Sequence, residues 1–141
     1  MQRVLKYTNA ILAILLLVAL GCFYRFVWRS YPDYSGDFKL DVREASSIVR
    51  DAQGIPHIKG TKIDDVIYLQ GYVHAQDRFW QMEATRRLAA GELAEIVGAG
   101  ALASDLEARR MRLRRIAEQM LPTLPAEDRR WLAAYARGVN D

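Results

Sequence analysis

Gly71-Tyr-Val-His-Ala-Gln-Asp-Arg-Phe-Trp-Gln-Met-Glu83, continued through Arg86-Arg87 to Gly91-Glu-Leu-Ala-Glu-Ile-Val-Gly98, reads as one long helix with a charged stripe between two apolar walls. At helical spacing His74, Asp77, Arg78 and Gln81 share one narrow arc. Tyr68, Tyr72, Ala75, Phe79 and Met82 lie on one side of it, and Val66, Leu69, Val73, Trp80 and Ala84 on the other. A polar seam walled this way is expected to be buried. Its members must then find hydrogen bonds, because an unpaired interior charge costs several kcal/mol or more, on the order of a whole domain's margin. Their i, i+3 and i+4 spacing allows them to pair with one another and with whatever packs above. The helix therefore reads as built to be covered, within a larger body.

Outward from this helix, Thr61-Lys-Ile-Asp64 is a cap-and-acid start and Gly91 a stop. Ile48-Val49-Arg50 and Pro56-His57-Ile58 flank Asp51-Ala-Gln-Gly54, a hairpin pattern with Gly54 supplying the positive φ and Pro56 confined to a strand start or edge. Phe38, Leu40 and Val42 alternate with polar residues as a short strand would. Ser104, with Glu107 completing a capping box, opens a helix carrying Leu106, Leu113, Ala117 and Met120 on one stripe; Pro122 ends it. A last helix runs from about Ala126 to Arg137, with Trp131, Leu132 and Tyr135 on its apolar side and Gly138 at its close. The fold class is α+β, mainly helical with one β-hairpin.

Several of these blocks, in this order, resemble the amino-terminal part of the penicillin acylase family of N-terminal-nucleophile amidohydrolases. They are Arg50-Asp51-Ala-Gln-Gly54-Ile-Pro56-His57-Ile58, Gly71 to Arg78, Gln81-Met-Glu83, Arg86-Arg87, Gly91 to Glu95, Asp105 with Arg109, Leu113-Arg114-Arg115, and Tyr135-Ala-Arg-Gly138-Val-Asn140. The resemblance covers about residues 47 to 141, and several ordered blocks are more specific than any single motif. Pro125 departs from it, standing where the family often has a side-chain cap.

The resemblance implies an αββα fold and cleavage of acyl-amide bonds, as in penicillins or acyl-homoserine lactones. It implies a serine nucleophile far downstream, freed by self-cleavage of a precursor, whose own α-amino group acts as base. It also implies a structural calcium with ligands beyond residue 141. On this reading residues 46–141 are the start of an α-subunit, the remainder of the precursor is the partner, and the chain alone is inactive. The sequence breaks off at Asp141 inside what resembles a continuing motif. A membrane-tethered helical interaction module derived from the same scaffold is the alternative.

The residues themselves supply no catalytic, cofactor or metal site. His57 follows Pro56 without an accompanying serine or cysteine motif and reads as a structural hydrogen-bonded histidine. His74 and Asp77 lack a third metal ligand. Ser30, Ser35, Ser46, Ser47 and Ser104 lie in no nucleophile elbow; Ser46 and Ser47 read as strand or loop residues, Ser104 as a cap.

With 20 basic and 17 acidic residues the net charge of +3 is too balanced to imply a polyanion. The five arginines between positions 109 and 115 read as a solvated or salt-bridged face, and no nucleic acid is expected. The single cysteine, Cys22, excludes a disulfide framework within the chain. It lies in an uncharged run, Ala10 to Tyr24, preceded by Arg3 and Lys6. Residues 1–29 read as a signal anchor spanning through residues 7–28, as a signal peptide cleaved after Ala19-Leu-Gly21, or as a lipoprotein signal at Cys22 that the bulky Leu20 fits poorly. All three export the body, and the resemblance implies the periplasm or the extracellular face. Residues 30–45 form a turn-rich tether and the first strand.

Overall fold

The computed structural model describes residues 2–32 and 34–141. Met1 and Asp33, the latter in the tether, lie outside the described residues, as do the side chains of residues 2–5, Arg3 of the basic flank among them. The chain divides into two units, residues 1–38 and 39–141.

The first unit is α1, Gln2–Phe26, followed by a short 3-10 turn at Trp28–Ser30. Its 25 residues rise about 37 Å at the helical repeat. By length and composition it can cross a bilayer, a criterion that an amino-terminal signal sequence also meets.

The second unit begins with irregular chain. Phe38, Leu40 and Val42 form no strand, contrary to the alternation, because no neighbouring strand pairs with them; Leu40 and Val42 instead pack side-on against the core. The hairpin follows, β1 Ser47–Arg50 antiparallel to β2 Pro56–Lys59, with Ile48 opposite Ile58 and Val49 opposite His57. Asp51 organises its turn, Oδ1 accepting the amides of Gln53 (3.0 Å) and Ile55 (2.8 Å), while Gly54 takes φ 80° as expected. Ile48 and Ile58 face the core, so the two-residue period of the strands is used on one side only.

Helix α2, Ile63–Ala90, is the spine. Asp64 and Asp65 in its first turn complement the helix dipole; Lys62 occupies the cap with no side-chain bond, and the Thr61 hydroxyl donates instead to the Glu44 carboxylate. Gly91 stops it in the left-handed region, φ 71°, with Gly91 N–H on the Leu88 carbonyl and Glu92 N–H on the Arg87 carbonyl. The helix is not continuous. Arg78 has φ −144° and ψ 25°, so α2 bends at the middle of the stripe.

After α3, Ala94–Val97, and a 3-10 turn at Ala99–Ala101, the arginine-rich segment starts at Leu102 rather than Ser104, which sits exposed inside the helix and caps nothing. It is also two helices. α4, Leu102–Met111, ends at Arg112 in the left-handed region, φ 56°, and α5, Leu113–Met120, departs from there. Helix α6, Ala126–Asn140, carries Ala134 and Gly138 as its buried face; Leu132, expected inside, is exposed. Gly138 is not a terminator. It lies within the helix, where α6 and α2 cross so closely that a Cβ on Gly138 would meet the Tyr68 carbonyl oxygen at 1.9 Å, and one on Gly71 the Tyr135 carbonyl oxygen at 2.2 Å.

Tyr68, Leu69 and Ala134 form the core, with Leu40, Val42, Ile48, Ile58 and Ile67 packed against it. Phe79, Trp80, Leu106, Ile116 and Met120 remain exposed, an unusual amount of large apolar surface for a body of this size.

Candidate functional site

The stripe on α2 is where the sequence concentrates chemistry, and the structure distributes its members. His74 Nδ1 lies 2.8 Å from the Tyr135 hydroxyl on α6, with the two rings edge to face. Asp77 is engaged by the hairpin: Arg50 Nη2 donates to Oδ1 at 2.8 Å and Nη1 to Oδ2 at 3.0 Å, a two-pronged fork that fixes β1 against α2. Pairing among the stripe residues themselves, expected from their spacing, is replaced by these bonds to other elements. The expected burial holds only before the bend. Gly71 and Val73 are buried and His74 half-buried, but Asp77, Arg78 and Gln81 are exposed, because α6 covers only the first half of α2.

The Arg50 and Asp77 side chains are 19% and 25% exposed, so solvent screens the pair in part. Asp77→Ala is expected to cost about 1–2 kcal/mol, below the ~3 kcal/mol of a fully buried charge. A double-mutant cycle with Arg50→Ala, read by urea denaturation, should recover most of this as coupling; additive single effects would show that the fork contributes nothing.

Across the bend, His74, Arg78, Gln81, Met82 and Thr85 bound a hollow of about 420 Å3. Further on, the hydrogen bonds from Arg86 and then Arg87 hold the Glu83 carboxyl down at about 2. A carboxylate depressed in the fold stabilises it above the ordinary carboxylate range, and that contribution fades as pH falls from about 4.5 towards 2. Glu92 links the same cluster to Arg114 of α5 at 2.6 Å, and Glu95 accepts from Arg87 at 2.7 Å.

His57 Nε2 lies 3.1 Å from Asp51 Oδ2, an exposed turn contact. Ser46 Oγ donates to the Glu44 carbonyl and Ser30 Oγ to the Phe26 carbonyl. Among the described residues no three His, Cys, Asp or Glu side chains converge to hold a metal ion.

Sequence reading missed the two buried carboxylates that organise the loops. Asp65 accepts the amides of Arg43 and Glu44, each at 3.1 Å; Asp105 accepts those of Leu93 (2.9 Å) and Ala94 (2.8 Å) while Arg109 Nε donates to the Gly91 carbonyl. Helical position was the only available signal, since both acids lie on the inward side of otherwise polar turns. Tyr68, 1% exposed, receives the Asp41 amide and donates to the Asp141 carboxylate at 2.5 Å; burial, then that bond, push its phenol up to about 12.

A hairpin docked by an Arg–Asp fork on a bent helix, crossed by a second helix at paired glycines, is the arrangement that these residues build. Residues 45–141 match the penicillin amidase family, and the chain belongs to that family. It is 41% identical over 110 residues to penicillin acylase 2 proenzyme of Pseudomonas sp. strain SE83, covering 77% of this chain and 14% of that relative. To the acyl-homoserine lactone acylase QuiP of Pseudomonas putida it is 36% identical over 137 residues, 96% of this chain and 17% of that one. Among solved structures it resembles the thermostable penicillin G acylase from Alcaligenes faecalis with a TM-score of 0.61 and 28% identity, covering 68% of this chain and 51% of the other. The chain thus spans less than a fifth of the length of the two curated relatives.

Proposed function

We propose that residues 39–141 act as the amino-terminal scaffold of an exported amidohydrolase that cleaves acyl-amide bonds of the kind found in penicillins and acyl-homoserine lactones. The observation that carries this is the family match over 45–141, supported by a solved acylase of similar fold. The bare apolar surface and the bent, half-covered α2 agree with a module completed by more chain. On this proposal residues 46–141 open an α-subunit, the complete body has the αββα fold, and the reaction is attack on the amide carbonyl by an amino-terminal serine supplied by another segment. A structural calcium, which the family resemblance implies, would on this reading be held by residues beyond 141. The relatives named as acylases lend the interaction-module alternative no support.

The direct test is hydrolysis. The purified 141-residue chain should release no phenylacetate or fatty acid from phenylacetyl amides or acyl-homoserine lactones, whereas a protein joining it to the remainder of an acylase precursor should. Turnover by the chain alone that vanishes in His57→Ala or His74→Ala would overturn the assignment of a purely structural role.

Lys6 ahead of the apolar run within α1 supports a membrane-anchored or exported body. A phosphatase active only after export, fused behind residue 45, is expected to be active. A silent phosphatase beside an active cytoplasmic reporter at the same position would sink this part of the proposal.

A further inference from the structure

Among the described residues Arg112 is the one non-glycine with a positive φ, 56° with ψ 34°. In that region the Cβ of an L-residue crowds the following carbonyl, which is why helix ends of this kind usually carry glycine. An arginine there is held by its surroundings. The groups that hold it lie on both sides of the break and converge on residues 91–94. From α4, Asp105 accepts the Leu93 and Ala94 amides, and Arg109 Nε donates to the Gly91 carbonyl. From α5, Arg114 Nη1 donates to Glu92 Oε1 at 2.6 Å. That helix contributes no buried residue of its own.

Helical geometry makes the Arg114 bond incompatible with an unbroken helix. If α4 continued at about 100° per residue, Arg114 would point about 140° away from Arg109 and about 180° away from Asp105, to the face opposite residues 91–94. The left-handed turn at Arg112 swings it round to Glu92. An unbroken helix would also gather Leu102, Leu106, Leu113, Ile116, Ala117 and Met120 within about 100° of arc, one apolar stripe that the bend divides. The sequence pattern therefore favours one helix, and an ion pair with side chains 56% and 24% exposed opposes it. Residues 121–125, a 3-10 turn and two extended residues, supply slack, since five residues reach about 17 Å when drawn out. We propose that residues 102–120 form a two-state elbow: the bent pair of helices, latched by Arg114 on Glu92, and a single continuous helix with an unbroken apolar stripe that forms when the latch opens. Screening by salt is the simplest signal that opens it, because the latch is a partly solvated ion pair. The elbow stands on these contacts alone, whether or not the acylase reading holds.

The test uses the full 141-residue chain in detergent micelles, with Cys22→Ser and with Ala103→Cys and Gln119→Cys carrying spin labels at exposed positions on either side of the break. In a continuous helix the 16-residue interval spans about 24 Å, and in the bent form less. Pulsed electron double resonance at low salt should show mainly the shorter distance. Raising salt from about 0.01 M to about 1 M, which cuts the Debye length from about 30 Å to about 3 Å, should enlarge a second population near the continuous-helix distance. Glu92→Gln and Arg114→Gln should each enlarge it roughly two- to fivefold, the range an exposed ion pair contributes, and the double variant should add nothing further. Arg112→Gly relaxes the left-handed turn and weakens a continuous helix, so it should shrink that population about fivefold or more. Circular dichroism should show helix content kept or raised in the latch variants. A single short distance that ignores salt and all three substitutions would end the proposal. So would a broad spread of distances with falling helix content, which would mean that α5 frays instead of continuing α4. No readout involves turnover, so failure of the acylase reading shows separately, in the hydrolysis assay.

Discussion

Gly138→Ala is expected to destabilise residues 39–141 by about 3 kcal/mol or more, at the upper end of what overpacking costs. The added methyl would sit 1.9 Å from the Tyr68 carbonyl oxygen and 3.0 Å from the Tyr72 amide nitrogen. These are backbone atoms of a packed helix, and no rotamer change removes them. The two helices would have to separate, taking Tyr68 and Ala134 out of contact at the centre of the core. Gly71→Ala should do the same from the other side, where the Tyr135 carbonyl oxygen stands at 2.2 Å. Thermal or urea unfolding measures both. Gly98→Ala is the informative comparison: open space surrounds it, but φ is 85°, so a smaller loss of about 1 kcal/mol should follow from backbone conformation alone. Equal losses at all three positions would show that the close crossing carries no special weight.

Asp65→Ala should cost about 2–4 kcal/mol, because it strands two inward-facing amides at once. Asp65 is 3% exposed, and its two carboxylate oxygens each take one backbone donor, Arg43 N–H and Glu44 N–H. No other acceptor is arranged for those donors. The loop they anchor carries Leu40 and Val42 onto the core, so hydrogen exchange at Arg43 and Glu44 should accelerate together with loss of packing there. Asp65→Asn retains one acceptor oxygen and should fall between wild type and alanine. Protection unchanged in the alanine variant would mean that the loop is held by its apolar contacts and not by Asp65.

How far the sequence was legible follows from the range over which each signal acts. The turn at Gly54, the start of β2 at Pro56 and the stop at Gly91 depend on a few adjacent residues, and each is found where expected. Gly138 was misread because a glycine near a helix end looks the same whether it terminates the helix or admits a neighbour; only the position of Tyr68, 70 residues earlier in the numbering, distinguishes them. The stripe was recognised as special but its partners were not, since Arg50 and Tyr135 reach it from 27 and 61 residues away. The division at Arg112 had no signal at all: arginine is not a residue that announces a left-handed backbone. The strand expected at Phe38 to Val42 failed for the opposite reason. Alternation describes which side chains face inward but does not supply a strand to pair with.

The crossing of α2 with α6 also sets an order of events during synthesis. The hairpin closes a loop of five residues between β1 and β2 and can form as soon as it emerges. Tyr68 and Leu69, by contrast, lack the α6 side of their packing until the segment around Ala134 and Gly138 arrives. At ribosomal speeds that interval lasts several seconds, about 5–20 residues being added each second. Throughout it the nascent chain presents a helix whose α6-facing side is bare, which makes this segment a natural client for whatever holdase guards chains in transit.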